Sequence, residues 1–173
     1  MRDQIMSDFL KSLASDASPG GGATAALHVA QAAALAGRVS GAREAGALSM
    51  HALRLAEKEA HAAAVLSRAH RLPPGAARDS ALAEARRCAC VPAAEVITAA
   101  AAVLDLADRV PPDPWVAADL AAVAEAARAA AVTAGLVIEI HSGVAPPEVA
   151  AVSERADRLT AGIREAVLLV SRG

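Results

Sequence analysis

The sequence has almost no aromatic side chains, since one phenylalanine, one tryptophan and no tyrosine make up 1% of its 173 residues. A protein that stacks nucleic-acid bases between aromatic rings needs more of them. The formal net charge is only −2, which indicates no basic surface for a nucleic acid or an anionic membrane. We therefore expect a small-molecule ligand held by aliphatic walls and polar groups, with no nucleic-acid and no membrane partner.

Cysteine is also scarce, with Cys88 and Cys90 as the only two. Two residues apart on a helix, they point to different faces, and they match neither a CxxC redox pair nor half of a zinc site. The five histidines form no recognisable ligand set. The first residues lack the apolar core of a signal peptide. We expect free thiols, no bound metal and a cytoplasmic protein.

Alanine dominates what is present, within a chain that is 55% hydrophobic and 21% charged. Alanine is the best helix former and allows helices to approach closely, and no segment shows the alternation typical of a strand. The pattern predicts one all-α domain over residues 1–173, an antiparallel bundle of six to seven helices. Because alanine buries little apolar area, we also expect a homodimer or larger oligomer. The predicted helices cover about 3–14, 23–41, 45–72, 76–88 and 92–110, and apolar residues spaced as on a helix mark two more over 116–137 and 152–170.

A glycine run follows the first predicted helix, as Pro19, Gly20, Gly21 and Gly22. Such a run permits backbone conformations that other residues avoid, and it leaves the first amides of the next helix uncovered. The helix dipole favours a negative or electron-rich group in front of those amides. The run has no following lysine and comes after a helix, so it is neither a Walker loop nor a dinucleotide fingerprint. It is either a tight turn or a ligand-binding helix start.

The glycine run belongs to a longer pattern between Phe9 and Leu27, Phe-Leu-x-x-Leu-Ala-Ser-x-x-x-Pro-Gly-Gly-Gly-Ala-Thr-Ala-Ala-Leu. This pattern resembles the opening of the formiminotetrahydrofolate cyclodeaminase and methenyltetrahydrofolate cyclohydrolase family. The resemblance continues more loosely through Arg71-Leu72-Pro73, the helix led by Val91-Pro92, and Pro112-Asp113.

The resemblance implies a cyclodeaminase-like fold, an assembly of dimers or larger, and a tetrahydrofolate derivative as substrate with no covalently bound cofactor. One activity of the family closes the formimino adduct to methenyltetrahydrofolate and expels ammonia. The other adds water to methenyltetrahydrofolate and gives the formyl form. Both suit a carboxylate that moves a proton near the amidine carbon.

Glu59 is the candidate for that carboxylate. The family has an aspartate on its third helix and a large aromatic four residues later, and this chain has Glu59 and Ala63 in those places. Glu59 falls between Leu55 and Ala62 on the predicted inner face, where a charge is costly unless it is used or paired. The alternative is that Glu59 belongs to a solvated charge run.

His28 and Gln31 are further candidates, for substrate binding. They lie three residues apart on the second predicted helix, within two turns of the glycines, where the family has small or apolar residues. They either line an altered pocket or lie partly exposed beside a neighbouring helix.

Arg38, Arg43 and Asp113 complete the substrate-binding candidates. The two arginines suit the glutamate tail of a folate, with ordinary surface positions as the alternative. Asp113 precedes a proline at a predicted helix start, so helix capping is its alternative. The family's asparagines on the helix leading to residue 140 are absent, and Thr133 and Val137 lie near their places.

Three functions remain open from the sequence. The first is a one-carbon folate enzyme, a cyclohydrolase in preference to a cyclodeaminase, because adding water to an electrophilic carbon demands less of the site. The second is an enzyme of the same fold with a changed small-molecule substrate. The third is a non-catalytic helical partner protein.

Overall fold

The computed structural model describes residues 6–14, 20–111 and 113–170, and every regular element in those ranges is an α-helix. The all-α class predicted from the sequence is confirmed. The helices are α1 (Met6–Leu13), α2 (Gly21–Ser40), α3 (Glu44–His70), α4 (Ala76–Ala107), α5 (Ala117–Ser142) and α6 (Glu148–Val170).

Helices α2 to α5 form a four-helix bundle. Helix α2 packs against α3 and α5, α3 packs against α4, α4 packs against α5, and α6 lies against α4 and α5. Short connections make successive helices antiparallel. An ion pair of 2.8 Å between Arg109, just after α4, and Glu44, at the start of α3, shows this directly. Arg38 near the end of α2 likewise lies 3.5 Å from Asp119 in the first turn of α5.

With α6 added to the four-helix bundle, five helices pack together, α2 to α6, whereas the sequence predicts six to seven. The short α1 makes no close contact with the others within the part of the chain that the structure describes. Residues 76–88 and 92–110, predicted as two helices, form the single helix α4. Pro92 removes one backbone hydrogen bond, but it is buried in the middle of α4, and packing against α3 and α5 keeps the helix continuous.

The core consists mainly of alanines, and its large, fully buried side chains are few, among them Leu55, Leu104 and Leu120. Small side chains let the helices approach closely. Helices α4 and α5 are long and apolar enough to cross a membrane by length and composition, but core helices pass the same test. Each of these helices has one most apolar stretch. Within the structure, 56% of the residues in that stretch are buried in α4 and 39% are buried in α5.

A close approach of α2 and α3 at Gly37 provides a test of this packing. A Cβ atom on Gly37 would lie 2.8 Å from Cβ of Ala45, whereas a Cβ on Gly46, also helical, would meet nothing within 4 Å. We expect Gly37→Ala to lower the free energy of unfolding by about 1–3 kcal/mol, because the helices must separate. We expect Gly46→Ala, the matched control, to raise it by up to about 1 kcal/mol. Urea denaturation of both variants measures the difference, and equal effects would contradict the close approach.

Candidate active site at the start of helix α2

Glu59 lies in the middle of α3 and faces the interior of the bundle. Its side chain is 6% exposed, and it is the only buried charged residue among those that the structure describes. The buried positions of α3 include Leu55, Ala56 and Ala62, so the helical period places Glu59 among them. The charge run that begins at Glu57 therefore does not lie entirely in solvent.

The carboxyl group of Glu59 lies directly against Gly22 in the first turn of α2. A Cβ atom on Gly22 would overlap Oε2 of Glu59, so only glycine allows this contact. Oε1 is buried and has no hydrogen-bond partner among the described residues. Burial raises the pKa of Glu59 to about 7, because the charged form loses its hydration. At neutral pH the carboxyl group can therefore both donate and accept a proton.

A cavity of about 160 Å³ opens beside this carboxyl group. The start of α2 forms one wall, where Gly20 caps the helix without a side-chain hydrogen bond. The first amides of α2 are therefore not covered by a capping side chain, and the helix dipole favours electron density in front of them. The cavity is lined by Gly20, Gly21, Gly22, Ala23, Glu59, Ala62, Ala63, Leu66, Ala89, Val137 and His141.

Helix α5 supplies the opposite wall. Thr133 Cγ2 lies 3.3 Å from the position of a Cβ on Gly21, and Val137 and His141 line the cavity further along α5. These three residues share one face because they are four apart. Burial lowers the pKa of His141, and the positive charge of Arg86 on α4 lowers it further. His141 is therefore a neutral imidazole at neutral pH.

The two cysteines are free thiols, one exposed and one half-buried. Cys90 lies near the cavity, since burial and then the charge of Glu59 raise the pKa of its thiol. Its Sγ donates a hydrogen bond of 3.3 Å to the backbone oxygen of Arg86. No group of three or more potential metal-ligating side chains occurs within residues 6–14, 20–111 and 113–170.

The structure brings four of the sequence candidates together, namely Glu59 and the three glycines Gly20, Gly21 and Gly22. Pro19 lies outside the described residues.

His28 and Gln31 do not line the cavity, in contrast to their prediction as pocket residues. Gln31 is exposed and His28 is half-buried, because the buried face of α2 is formed by alanines and Val29. His28 Nδ1 is buried and has no hydrogen-bond partner among the described residues.

Arg38, Arg43 and Asp113 lie at the opposite end of the bundle, so within one chain they do not share a site with Glu59. Sixteen residues of α2 separate Gly22 from Arg38, about 24 Å at 1.5 Å per residue. Arg38 and Arg43 are exposed. Asp113 Oδ1 accepts a hydrogen bond of 2.8 Å from the backbone N–H of Trp115, the local role that was the alternative for this residue.

Sequence reasoning missed His141. The pattern around residues 141–143 marks a helix end, and it gives no reason to place this histidine at the glycines. The available signal was the spacing of four from Thr133 through Val137 to His141, on a helix whose last turns pass the start of α2. That signal has meaning only once α2 and α5 are known to be antiparallel neighbours.

No protein-family model matches the chain, and no curated protein matches it. Among solved structures, the chain is similar to the crystal structure of formiminotetrahydrofolate cyclodeaminase from Thermotoga maritima, with a TM-score of 0.70 and 19% sequence identity. The match covers 99% of this chain and 96% of that chain. The chain therefore has a cyclodeaminase-like fold. At this identity the likeness shows the fold alone, and the resemblance of the Pro-Gly-Gly-Gly segment agrees with it.

The raised pKa of Glu59 predicts a pH-dependent cost of folding. Below pH 4.5 the carboxyl group is protonated in both states, and above about pH 7 it is ionised in both. Between them the folded state binds the proton more tightly, so stability decreases as pH rises. The shift from 4.5 to about 7 corresponds to about 3 kcal/mol.

Glu59→Gln should therefore gain stability relative to the native protein as pH rises from 4.5 to 7.5, by up to about 3 kcal/mol. Urea denaturation across this range measures the gain. Glu139→Gln, at an exposed position of α5, is the control, because its carboxyl group stays hydrated in both states. A difference between Glu59→Gln and the native protein that does not change with pH would contradict the burial of the carboxyl group.

Proposed function

We propose that this protein is a one-carbon tetrahydrofolate enzyme, a methenyltetrahydrofolate cyclohydrolase or a formiminotetrahydrofolate cyclodeaminase, in which Glu59 transfers protons. The observation that carries the proposal is the buried carboxyl group of Glu59, whose Oε1 has no hydrogen-bond partner among the described residues, beside a helix start without a capping side chain. The cyclodeaminase-like fold supports the same substrate class.

The chemistry of the cavity suits both reactions. Each requires a proton to move at a nitrogen bonded to the one-carbon unit, and a carboxyl group with a pKa of about 7 can give and take a proton at neutral pH. After water has added to the methenyl carbon, the hydroxyl group of the adduct loses its proton as the C–N bond breaks, and its oxygen then carries increased negative charge. The uncovered amides of α2 suit that oxygen, as in an oxyanion hole. This favours the cyclohydrolase reaction over the cyclodeaminase reaction.

A changed small-molecule substrate is the second candidate. The cavity of about 160 Å³ accommodates a reacting group, so the remainder of a folate would have to lie outside it. Ala63 lines the cavity where the family has an aromatic side chain, and none of the predicted arginines is nearby. These features favour an enzyme whose substrate has the same reacting group but a smaller body.

A non-catalytic partner protein is less well supported. A filled cavity at the glycines, or Glu59 turned to solvent, would favour that function. In the described residues the cavity is open and Glu59 faces it.

The proposal includes a cytoplasmic homodimer or larger oligomer, with no covalently bound cofactor and no nucleic-acid or membrane partner. An apolar stripe on the outer face of α5 supports self-association, since Val132, Leu136 and Ile140 are 40%, 52% and 74% exposed. Their spacing of four places them on one face of the helix.

Removal of the Glu59 carboxyl group tests the proposed chemistry. Glu59→Gln keeps the size of the side chain, and we expect it to lower kcat for methenyltetrahydrofolate hydrolysis by about 10²–10⁴-fold, because the amide cannot transfer a proton. Loss of methenyl absorbance measures turnover, and calorimetry with tetrahydrofolate measures binding, which should be retained. The absence of both turnover and binding in the native protein would refute the folate proposal.

Gly22 provides an independent test of the position of the carboxyl group. Gly22→Ala introduces a methyl group into the space of the Glu59 carboxyl group and should displace it by about 1 Å or more, which lowers kcat by about 10²-fold. Gly46→Ala is the matched control, since Gly46 is also helical, does not line the cavity, and its methyl group would meet nothing within 4 Å. The rates of the two variants are compared in the same absorbance assay. Equal rates would show that the contact between Gly22 and Glu59 does not matter for turnover.

A further inference from the structure

The cavity contains a second titratable group that the proposed function has not used. We propose that His141 accepts a proton from the attacking water, while Glu59 acts on the departing nitrogen. This inference rests on the proposed folate hydrolysis and assigns its second proton-transfer group.

The geometry places the two groups at opposite ends of the cavity. Thr133 of α5 is level with Gly21, and His141 lies two turns further along α5, about 12 Å beyond it at 1.5 Å per residue. A helical side chain inclines toward the N-terminus of its own helix, so the imidazole inclines back toward the cavity. Glu59 lies level with Gly22 at the inner end. A substrate carbon in the cavity therefore lies between the two groups.

The charges around His141 favour its neutral form. Arg86 of α4 is the charged group that acts on it, and α3 contributes Glu59 to the same cavity. The first turn of α2 contributes only glycines and Ala23, which carry no charge.

The proton transfers balance for the addition of water to methenyltetrahydrofolate. As the water oxygen bonds to the methenyl carbon, the C=N π pair moves to nitrogen and one water proton moves to the imidazole of His141. The protonated carboxyl group of Glu59 then gives its proton to the departing nitrogen, which keeps the pair of the breaking C–N bond. Its other oxygen accepts the remaining hydroxyl proton, and the formyl C=O forms. Glu59 ends protonated as it began.

One proton therefore remains on His141 after each turnover, which matches the single proton that the reaction releases. His141 is half-buried in the last turn of α5, whereas Glu59 is 6% exposed. The partly accessible imidazole can pass its proton to solvent without opening the bundle. Arg86 favours this release, because a positive charge nearby weakens proton binding by the imidazole.

The test is the pH profile of kcat/KM for methenyltetrahydrofolate hydrolysis in the native protein and in His141→Asn, Arg86→Gln and His70→Asn. The native profile should fall below the pKa of His141, which lies under its usual 6.5, and above the pKa of Glu59, about 7. His141→Asn should lose the acidic limb and about 10²-fold or more of the rate, with binding of tetrahydrofolate retained. The control His70→Asn, at an exposed position of α3, should leave the profile unchanged.

Arg86→Gln adds a measurement that a purely structural role would not affect. Loss of its charge should move the acidic limb to higher pH, and the NMR titration of the His141 imidazole in the ligand-free protein should move in the same direction. An active native protein whose rate and acidic limb survive His141→Asn would overturn this inference and leave the folate function intact. A native protein that hydrolyses no methenyltetrahydrofolate would overturn both.

Discussion

The contact between the Glu59 carboxyl group and Gly22 is the constraint on which the candidate site depends. A buried carboxyl group whose Oε1 has no hydrogen-bond partner among the described residues opposes folding, because that oxygen loses its hydration without a replacement. The raised pKa of about 7 reduces this cost, because a large share of the carboxyl group is protonated and uncharged at neutral pH. The lack of a Cβ on Gly22 lets the group approach the start of α2, where the first amides have no capping side chain and create a polar surface beside an apolar interior.

The alanine-rich core explains both the close packing and the cavity. Small side chains allow α2 to approach α3 and α5, and few large residues are needed to fill the interior. At the glycine end the small side chains leave the cavity open, because Ala63 and the three glycines do not fill it. A larger residue at position 63 would reduce this space. The abundance of small side chains therefore accounts for both the close packing of the helices and the cavity.

Much of the fold was predictable from local patterns, and the errors have physical causes. Helical spacing of apolar residues gave the helix content and the inward position of Glu59 on α3. The sequence predicts a helix start at Pro92, because a proline interrupts a helix locally, yet packing on both sides keeps α4 continuous. Their short distance to the glycines along the chain predicts that His28 and Gln31 either line a pocket or lie partly exposed beside a neighbouring helix. Distance along a helix does not say which face is covered, and the covered face of α2 consists of other residues.

The sequence by itself determined the helical class, the glycine start of α2 and the presence of a carboxylate at core spacing, because these depend on neighbours within one or two helical turns. Only the tertiary structure decided which groups meet. It placed His141 in the same cavity as Glu59, and it placed Arg38, Arg43 and Asp113 at the far end of the bundle. The reason is that the pairing of α2 with α5 and its direction depend on packing of the whole chain, which no local spacing specifies.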